Sequence, residues 1–210
     1  MSIFILPTHL KMILYGAVGY AKVIISIIIA NGGNVAAVFD DDPSKIEICQ
    51  IPVLGKYSQG IHSDKSIVIA IGDNTLRSRI AQKIRHNFAN VIHETAIMDK
   101  SVQIGEGAVV MHASILQAGT TVGRHVIINT RVSVDHDCSI ADFVHLAPGV
   151  VLCGDVCVGE NTLIGAGSMV VPNITIGNNC HIAAGSVITQ NIPDGAIVRG
   201  NPGRIIKTLF

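Results

Sequence analysis

The sequence predicts an α/β unit followed by a parallel β-helix, on three observations. A six-residue beat runs from Ile92 to Ile192, and its leading position is aliphatic or Met at all seventeen steps, from Ile92, Met98 and Ile104 to Ile182 and Ile188. The fifth position of the same frame, from Ala96 and Val102 to Ser186 and Ile192, holds only small or β-branched residues. Upstream, Met12 to Asn31 read as strand, glycine turn and apolar helical run.

A period of six fits neither the helical 3.6 nor a long two-residue alternation, so each hexapeptide must be one side of a coiled unit that buries one side chain per step. Three sides close a triangular coil, with the aliphatic residue inward and the small residue at a tight corner. The second position is often Gly (Gly105, Gly123, Gly159, Gly165, Gly177) and is expected to supply turn-tolerant backbone. About five to six coils at the roughly 4.8 Å spacing of strands make a prism roughly 25 Å long. Val150-Val151-Leu152 and Met169-Val170-Val171 put apolar side chains outside as well as inside. Such faces are expected to meet a copy of themselves.

The repeat claims residues 92–210 and leaves 1–91 for the first domain. There, after a dispensable-looking lead of Met1 to Leu10, the strand Met12–Tyr15 leads into Gly16-Ala17-Val18-Gly19-Tyr20-Ala21 and a helical run, Lys22 to Asn31. This order puts backbone N–H groups at a helix amino terminus, where phosphates bind. A second strand, Val35–Phe39, ends in Asp40-Asp41-Asp42, about twenty residues on, where an acid usually holds a ribose or sugar hydroxyl. A third, Ser66–Ile71, ends at Gly72-Asp73-Asn74, again at the carboxyl end of a strand. The spacing is GxxG and Val18 fills the place of a second glycine, so one nucleotide-linked ligand suits the site better than a dinucleotide.

Composition narrows the function. The net charge is zero and 14% of residues are charged, which excludes a nucleic-acid stripe. Ile3 to Leu6 is broken by Pro7, and Val23 to Ala30 is too short to span a bilayer, so a cytoplasmic protein without a membrane partner is expected. Five cysteines without a CxxC read as packing residues, Cys138 and Cys180 falling on the inward corner.

Candidate chemistry lies among histidines expected to point outward: His112, His125, His136, His145 and His181. His136 stands between Asp135 and Asp137, which can orient its ring and raise its basicity. Gly154, eighteen residues on, stacks beside it on the next coil, where a backbone N–H could serve an acyl-transfer oxyanion. His145 is half a coil from His136 and points away, so a two-histidine site requires two prisms. His145 and His181 are two coils apart, nearly 10 Å, too far to share a metal whose bonds are near 2 Å. No metal is expected.

Tyr15-Gly16-Ala17-Val18-Gly19, Ile69-Ala70-Ile71-Gly72-Asp73-Asn74, Val134-Asp135-His136-Asp137-Cys138 and Gly200-Asn201-Pro202-Gly203-Arg204 together resemble the PglD/NeuD-like sugar acetyltransferases, from Ile13 to Arg204. The resemblance implies a small Rossmann-like βαβ domain followed by a left-handed parallel β-helix of hexapeptide repeats. It also implies a homotrimer that transfers acetyl from acetyl-CoA to a nucleotide-linked amino sugar, a 4-amino-4,6-dideoxy sugar, for surface glycans. His136 would be the general base, Asp137 the acid that tunes it and the Gly154 amide the oxyanion donor. His145, Ala166, Ala184 and Arg204 would meet acetyl-CoA. Asn129 would line the sugar site, and Gly16, Val18, Gly19, Tyr20, Asp40, Asp41, Gly72, Asp73 and Asn74 would contact the nucleotide sugar. The family commonly carries His at position 20, Gly or Ser at 18 and Ala at 203, which leaves the nucleotide base open. A sialic acid O-acetyltransferase keeps the same class, and a non-catalytic nucleotide-sugar-binding subunit leaves it.

Overall fold

A computed structural model describes residues 11–208; the lead segment discussed above lies outside them. The chain forms two compact units that part between Glu94 and Thr95.

In the first unit, β1 (Lys11–Tyr15) is the middle strand of a three-stranded parallel sheet between β2 (Asn34–Phe39) and a later strand, Ile67–Ile69. Ile13, Leu14 and Tyr15 each pair on both sides, and Ile13, Phe39 and Ile67 are fully buried. Helix α1 spans Gly19–Ala30, three residues earlier than expected, because the Ala21 N–H already bonds the Val18 carbonyl at 2.9 Å and closes the first turn. A short hairpin of β3 (Glu47–Ile48) and β4 (Ile51–Pro52) follows. The third parallel strand, β5, keeps only Ile67–Ile69 of the expected Ser66–Ile71, since only these residues find partners in β1. A second helix, α2 (Asn74–Ala81), was not legible: NTLRSRIA is too short and too polar to show a helical stripe. A two-residue strand, β6 (Val91–Ile92), follows it.

The second unit is a left-handed β-helix whose short strands pair in parallel with residues eighteen further on. The leading position is buried from Val110 to Ile188, and the fifth from Ala108 to Ile192. Where the fifth residue is polar, its hydroxyl donates to a backbone carbonyl, fifteen residues ahead for Ser114 to Asn129, Thr120 to Asp135 and Thr162 to Gly177, and three residues back for Ser186 to Ala183, at 2.7 to 3.0 Å. That is how a dry interior tolerates hydroxyls.

The turn chemistry differs from expectation. The left-handed residue of each corner is the fourth, not the second: Gly107, Ala113, Gly119, His125, Arg131, Asp137 and every sixth residue on to Gly185 have positive φ. The second-position glycines are required by crowding instead. A Cβ on Gly159 would lie 2.5 Å from the Gly177 carbonyl carbon, and one on Gly165 would lie 2.5 Å from the Ala184 nitrogen.

The three faces differ in what they turn outward. One, through Ile115–Leu116, Val151–Leu152 and Met169–Val170, shows Ile97, Ile115, Val151, Met169 and Val187 with Ser133 among them; Ile97 is 65% and Met169 43% exposed. The second, through Thr121–Val122 and Ser139–Ile140, shows Gln103, Thr121, Ser139 and Thr175. The third carries His145–Leu146, Leu163–Ile164 and His181–Ile182, and ends in an antiparallel pair of Ala196–Arg199 with Arg204–Thr208. We call them the apolar, polar and histidine faces.

Candidate active site

His136 lies on the corner between the apolar and polar faces, between strands Ser133–Val134 and Ser139–Ile140. Its neighbour Asp137 takes the left-handed conformation (φ 58), which turns consecutive side chains toward each other. The Nδ1–H of His136 donates to Asp137 Oδ2 at 2.8 Å, and its backbone N–H donates to Asp135 Oδ1 at 2.8 Å. Nε2 is thereby left as the acceptor of a neutral ring. The bond to Asp137 and the charges of Asp135, Asp137 and Asp155 raise the imidazole pKa, against a small opposing effect of burial. Asp155, eighteen residues after Asp137, is a member of the site that counting in coils would have found.

Gly154 lies against the ring from the next coil. A Cβ there would stand 2.7 Å from both His136 Cε1 and Nε2, so only glycine leaves room for the imidazole. Among the described residues nothing accepts the Gly154 N–H, whereas the N–H groups at the same position of Arg124 and Glu160 are capped by Asp142 and Asn178. Cys138 points inward, as expected; its Sγ donates to the Cys153 carbonyl at 3.2 Å, and burial pushes its pKa up to about 11. It is a buried thiol rather than a thiolate nucleophile.

Not every histidine points outward. His125 is 3% exposed and stacks on Phe143, one coil on, with ring centroids 5.1 Å apart. The corner expectation failed because aromatic stacking between coils covers a ring as well as the core does.

The residues expected to meet the acetyl donor gather at a different corner, between the histidine and apolar faces. It is built of small residues over three coils: Ala147-Pro148-Gly149, Gly165-Ala166-Gly167 and Ala183-Ala184-Gly185. Ala166 and Ala184 are exposed, and nothing among the described residues accepts their N–H groups. Gly203 N–H bonds the Val187 carbonyl, and Val187 N–H that of Gly200, which brings the Arg204 turn to the end of this corner. His145 flanks it and contacts Asn129, with Nε2 and Nδ2 3.2 Å apart. Methyl-only walls with free N–H donors fit an extended, amide-rich chain such as that of CoA. Within one prism, His136 is not among these residues.

In the first unit the glycine turn is braced from below. Asp40 Oδ2 accepts from the Ala17 N–H at 2.7 Å and from Lys45 Nζ at 2.9 Å, and Oδ1 accepts from the Asp42 N–H. Burial opposes the Asp40 charge, but these donors outweigh it and hold the carboxyl below its usual range. Both oxygens are thus committed to protein donors, while Asp41 is exposed. Asp73 caps α2 by accepting from the Leu76 N–H. Arg77, 1% exposed, donates to the carbonyls of Ile71 and Gly72 and to Asn74 Oδ1, so it fixes the loop at the end of β5. Sequence reasoning missed Arg77, although it sits one helical turn beyond Asp73. Val18, 41% exposed, Gly19 and Gly72 line the open side of this loop pair, whereas Gly16 is buried against Ala70 and Ile71, and Tyr20 buries its hydroxyl.

No helix among the described residues is long and apolar enough to cross a membrane, and no group of three His, Cys, Asp or Glu among them could hold a metal ion.

Comparison with known proteins agrees with both units. The family model of the PglD N-terminal domain matches residues 11–84, and that of the bacterial transferase hexapeptide (six repeats) matches residues 155–190. The chain is similar to the GDP-perosamine N-acetyltransferase of Escherichia coli O157:H7, at 29% identity over 164 residues that cover 73% of this chain and 74% of that protein. It is similar to the crystal structure of PerB from Caulobacter crescentus in complex with CoA and GDP-perosamine, with TM-score 0.89 and 36% identity, covering 94% of this chain and 97% of that one. The acetyltransferase domain of PglB from Neisseria gonorrhoeae, in complex with acetyl coenzyme A, matches with TM-score 0.87 and 32% identity, covering 93% of this chain and 98% of that one. Similarity of this extent, with both units matched in order, means that the chain belongs to the PglD/NeuD-like sugar acetyltransferases of the hexapeptide-repeat acyltransferase superfamily.

Proposed function

We propose that this protein is an acetyl-CoA-dependent N-acetyltransferase of a nucleotide-linked amino sugar, working as a cytoplasmic homotrimer in glycan biosynthesis. The observation that carries the reading is the His136–Asp137 pair set over Gly154. Nε2 of His136 accepts a proton from the sugar amine as the nitrogen bonds the acetyl carbon; the thioester C–S bond breaks, and CoA leaves as the thiol by taking that proton back from the imidazolium. Asp137 holds the ring by its Nδ1–H and favours the imidazolium that forms. The unclaimed Gly154 N–H is the donor assigned to the developing oxyanion. His145, Ala166, Ala184 and Arg204 are assigned to the acetyl donor, and Asn129 to the sugar.

The faces support the trimer. Three prisms that turn their apolar faces toward a common axis bring the His136 corner of each against the small-residue corner of the next, because these corners bound that face. The base and the acetyl donor then meet between two subunits.

The nucleotide is assigned to the first unit, against the amino terminus of α1 at Val18 to Tyr20 and the loop Gly72 to Asn74, with Asp41 the open acid. Two of the similar proteins act on or bind GDP-perosamine, which supports guanosine over uridine and a 4-amino sugar. Assays with GDP- and UDP-linked 4-amino-4,6-dideoxy sugars, followed by thiol release, test the reading. Preferred turnover of the GDP sugar is expected. Turnover of free sialic acid alone would contradict it.

A further inference from the structure

The fourth position of the His136 corner forms a column across the coils: Ser101, Gly119, Asp137, Asp155, Asn173. Backbone conformation does not call for glycine in this column. Asp137, Asp155 and Asn173 adopt φ of 57 to 61 there, and Ala113 adopts φ 55 on another corner. What singles out position 119 is its neighbour: a Cβ on Gly119 would collide with Oδ1 of Asp137. The carboxylate is folded down onto the glycine one coil below, while its other oxygen, Oδ2, holds His136 Nδ1 at 2.8 Å. The Asp137 N–H bonds the Ala118 carbonyl, and the Gly119 N–H takes the Ser101 hydroxyl as acceptor, which in turn donates to Asp99. Gly119 is therefore tied at a fixed height beneath the carboxylate. The pair lies between two glycines, Gly154 opening space for the ring from the coil above and Gly119 opening space for the carboxylate from the coil below.

We infer that Gly119 is a positioning residue for the catalytic base: its missing side chain seats Asp137 so that Asp137 can orient His136. The inference rests on the acetyltransferase reading above, in which His136 is the base. It assigns a role to a residue that touches no reacting atom and lies eighteen positions from the one it serves.

The test is Gly119→Ala beside Gly32→Ala, which places a methyl at an equally left-handed position (φ 77) with nothing within 4 Å, beyond the end of α1 and outside both corners of the site. Gly119→Ala should lower kcat roughly tenfold, with KM for acetyl-CoA within about twofold, while Gly32→Ala keeps kcat near wild type. In an Asp137→Ala background Gly119→Ala should cost nothing further, because the carboxylate it displaces is gone. If Gly119→Ala also lowers the melting midpoint, Asp137→Ala should restore it. A readout independent of turnover is the NMR titration of the His136 imidazole, which faces Asp135, Asp137 and Asp155. Gly119→Ala should move that titration to lower pH, since the ring loses its strongest carboxylate partner, and Gly32→Ala should not. The titration answers even if no amino sugar is turned over, so failure of this inference and failure of the functional reading are separable. Wild-type kcat and titration in Gly119→Ala, or an equal loss in the Asp137→Ala background, would overturn it.

Discussion

The His136 corner and the corner between the polar and histidine faces share backbone, pitch and left-handed fourth residue, yet they use charge in opposite ways. On the second, charges pair across coils: the Arg124 N–H and Nε donate to Asp142, eighteen residues on, at 2.7 and 2.9 Å, and the Asn178 N–H donates to Asp194. Each such bond staples one coil to the next and caps a backbone donor. On the first, charge pairs within one coil, His136 to Asp137, and the coils above and below contribute glycines. Pairing between coils consumes donors and builds the prism. Pairing within a coil leaves one ring nitrogen and one backbone N–H unspent, and that is where chemistry can occur.

Mutations that respect this difference should separate activity from stability. The largest effect is expected for His136→Ala, at least about a hundredfold loss of turnover with modest change in acetyl-CoA binding and no loss of melting midpoint. Steady-state kinetics beside isothermal titration checks it, and near-normal turnover would remove His136 from its role.

Gly154→Ala comes next. It leaves every titrating group in place but drives a methyl into the ring edge, and displacements of this size cost roughly tenfold to a hundredfold in rate. A crystal structure of the variant should show the imidazole displaced from its present seat.

Asp137→Asn is smaller, about tenfold in kcat, and its signature lies in pH. The carboxylate raises the pKa of His136. Removing the negative charge lowers that pKa, so the ring stays neutral, and able to accept a proton, to lower pH. The acid limb of kcat/KM should therefore move to lower pH, and an unchanged limb would mean that Asp137 does not govern the base. The same linkage touches stability: the favourable pairing of imidazolium with carboxylate is present at low pH and is lost as pH rises through the raised pKa.

The smallest effect is expected at the stapled corner. Arg124→Ala breaks an exposed pair, so stability should fall within about 1 kcal/mol and kcat should stay near wild type. A large loss of turnover there would erase the distinction between the two corners.

Much of this was written in the sequence, and the remainder was hidden for identifiable reasons. The beat reports burial, so the inward residues, the stacking of Gly154 on His136 and the inward turn of Cys138 could be read by counting in eighteens. Backbone handedness leaves no hydrophobic trace, and Phe143, His125 and Arg131 occupy the left-handed position that turn rules reserve for Gly or Asn. The second-position glycines were legible as glycines but not as contact points, because their crowding comes from a coil eighteen residues away. Contacts of that range also buried His125 and put Gly119 beneath Asp137. In the first unit the strand–turn–helix signal located the glycine turn, whereas Asp40 braces that turn and Asp73 caps α2.

The claim most open to test is that each site is shared, the His136 corner coming from one prism and the small-residue corner from its neighbour. Co-expression of His136→Ala with Ala166→Trp under two different tags, followed by purification on both, isolates mixed trimers. Each homotrimer should be inactive, one lacking the base and the other blocked at the donor corner. In every mixed trimer one site of the three pairs two intact corners, so about a third of wild-type turnover should return. Mixed trimers that stay as inactive as their parents would place both corners of the site in a single chain and contradict the shared site.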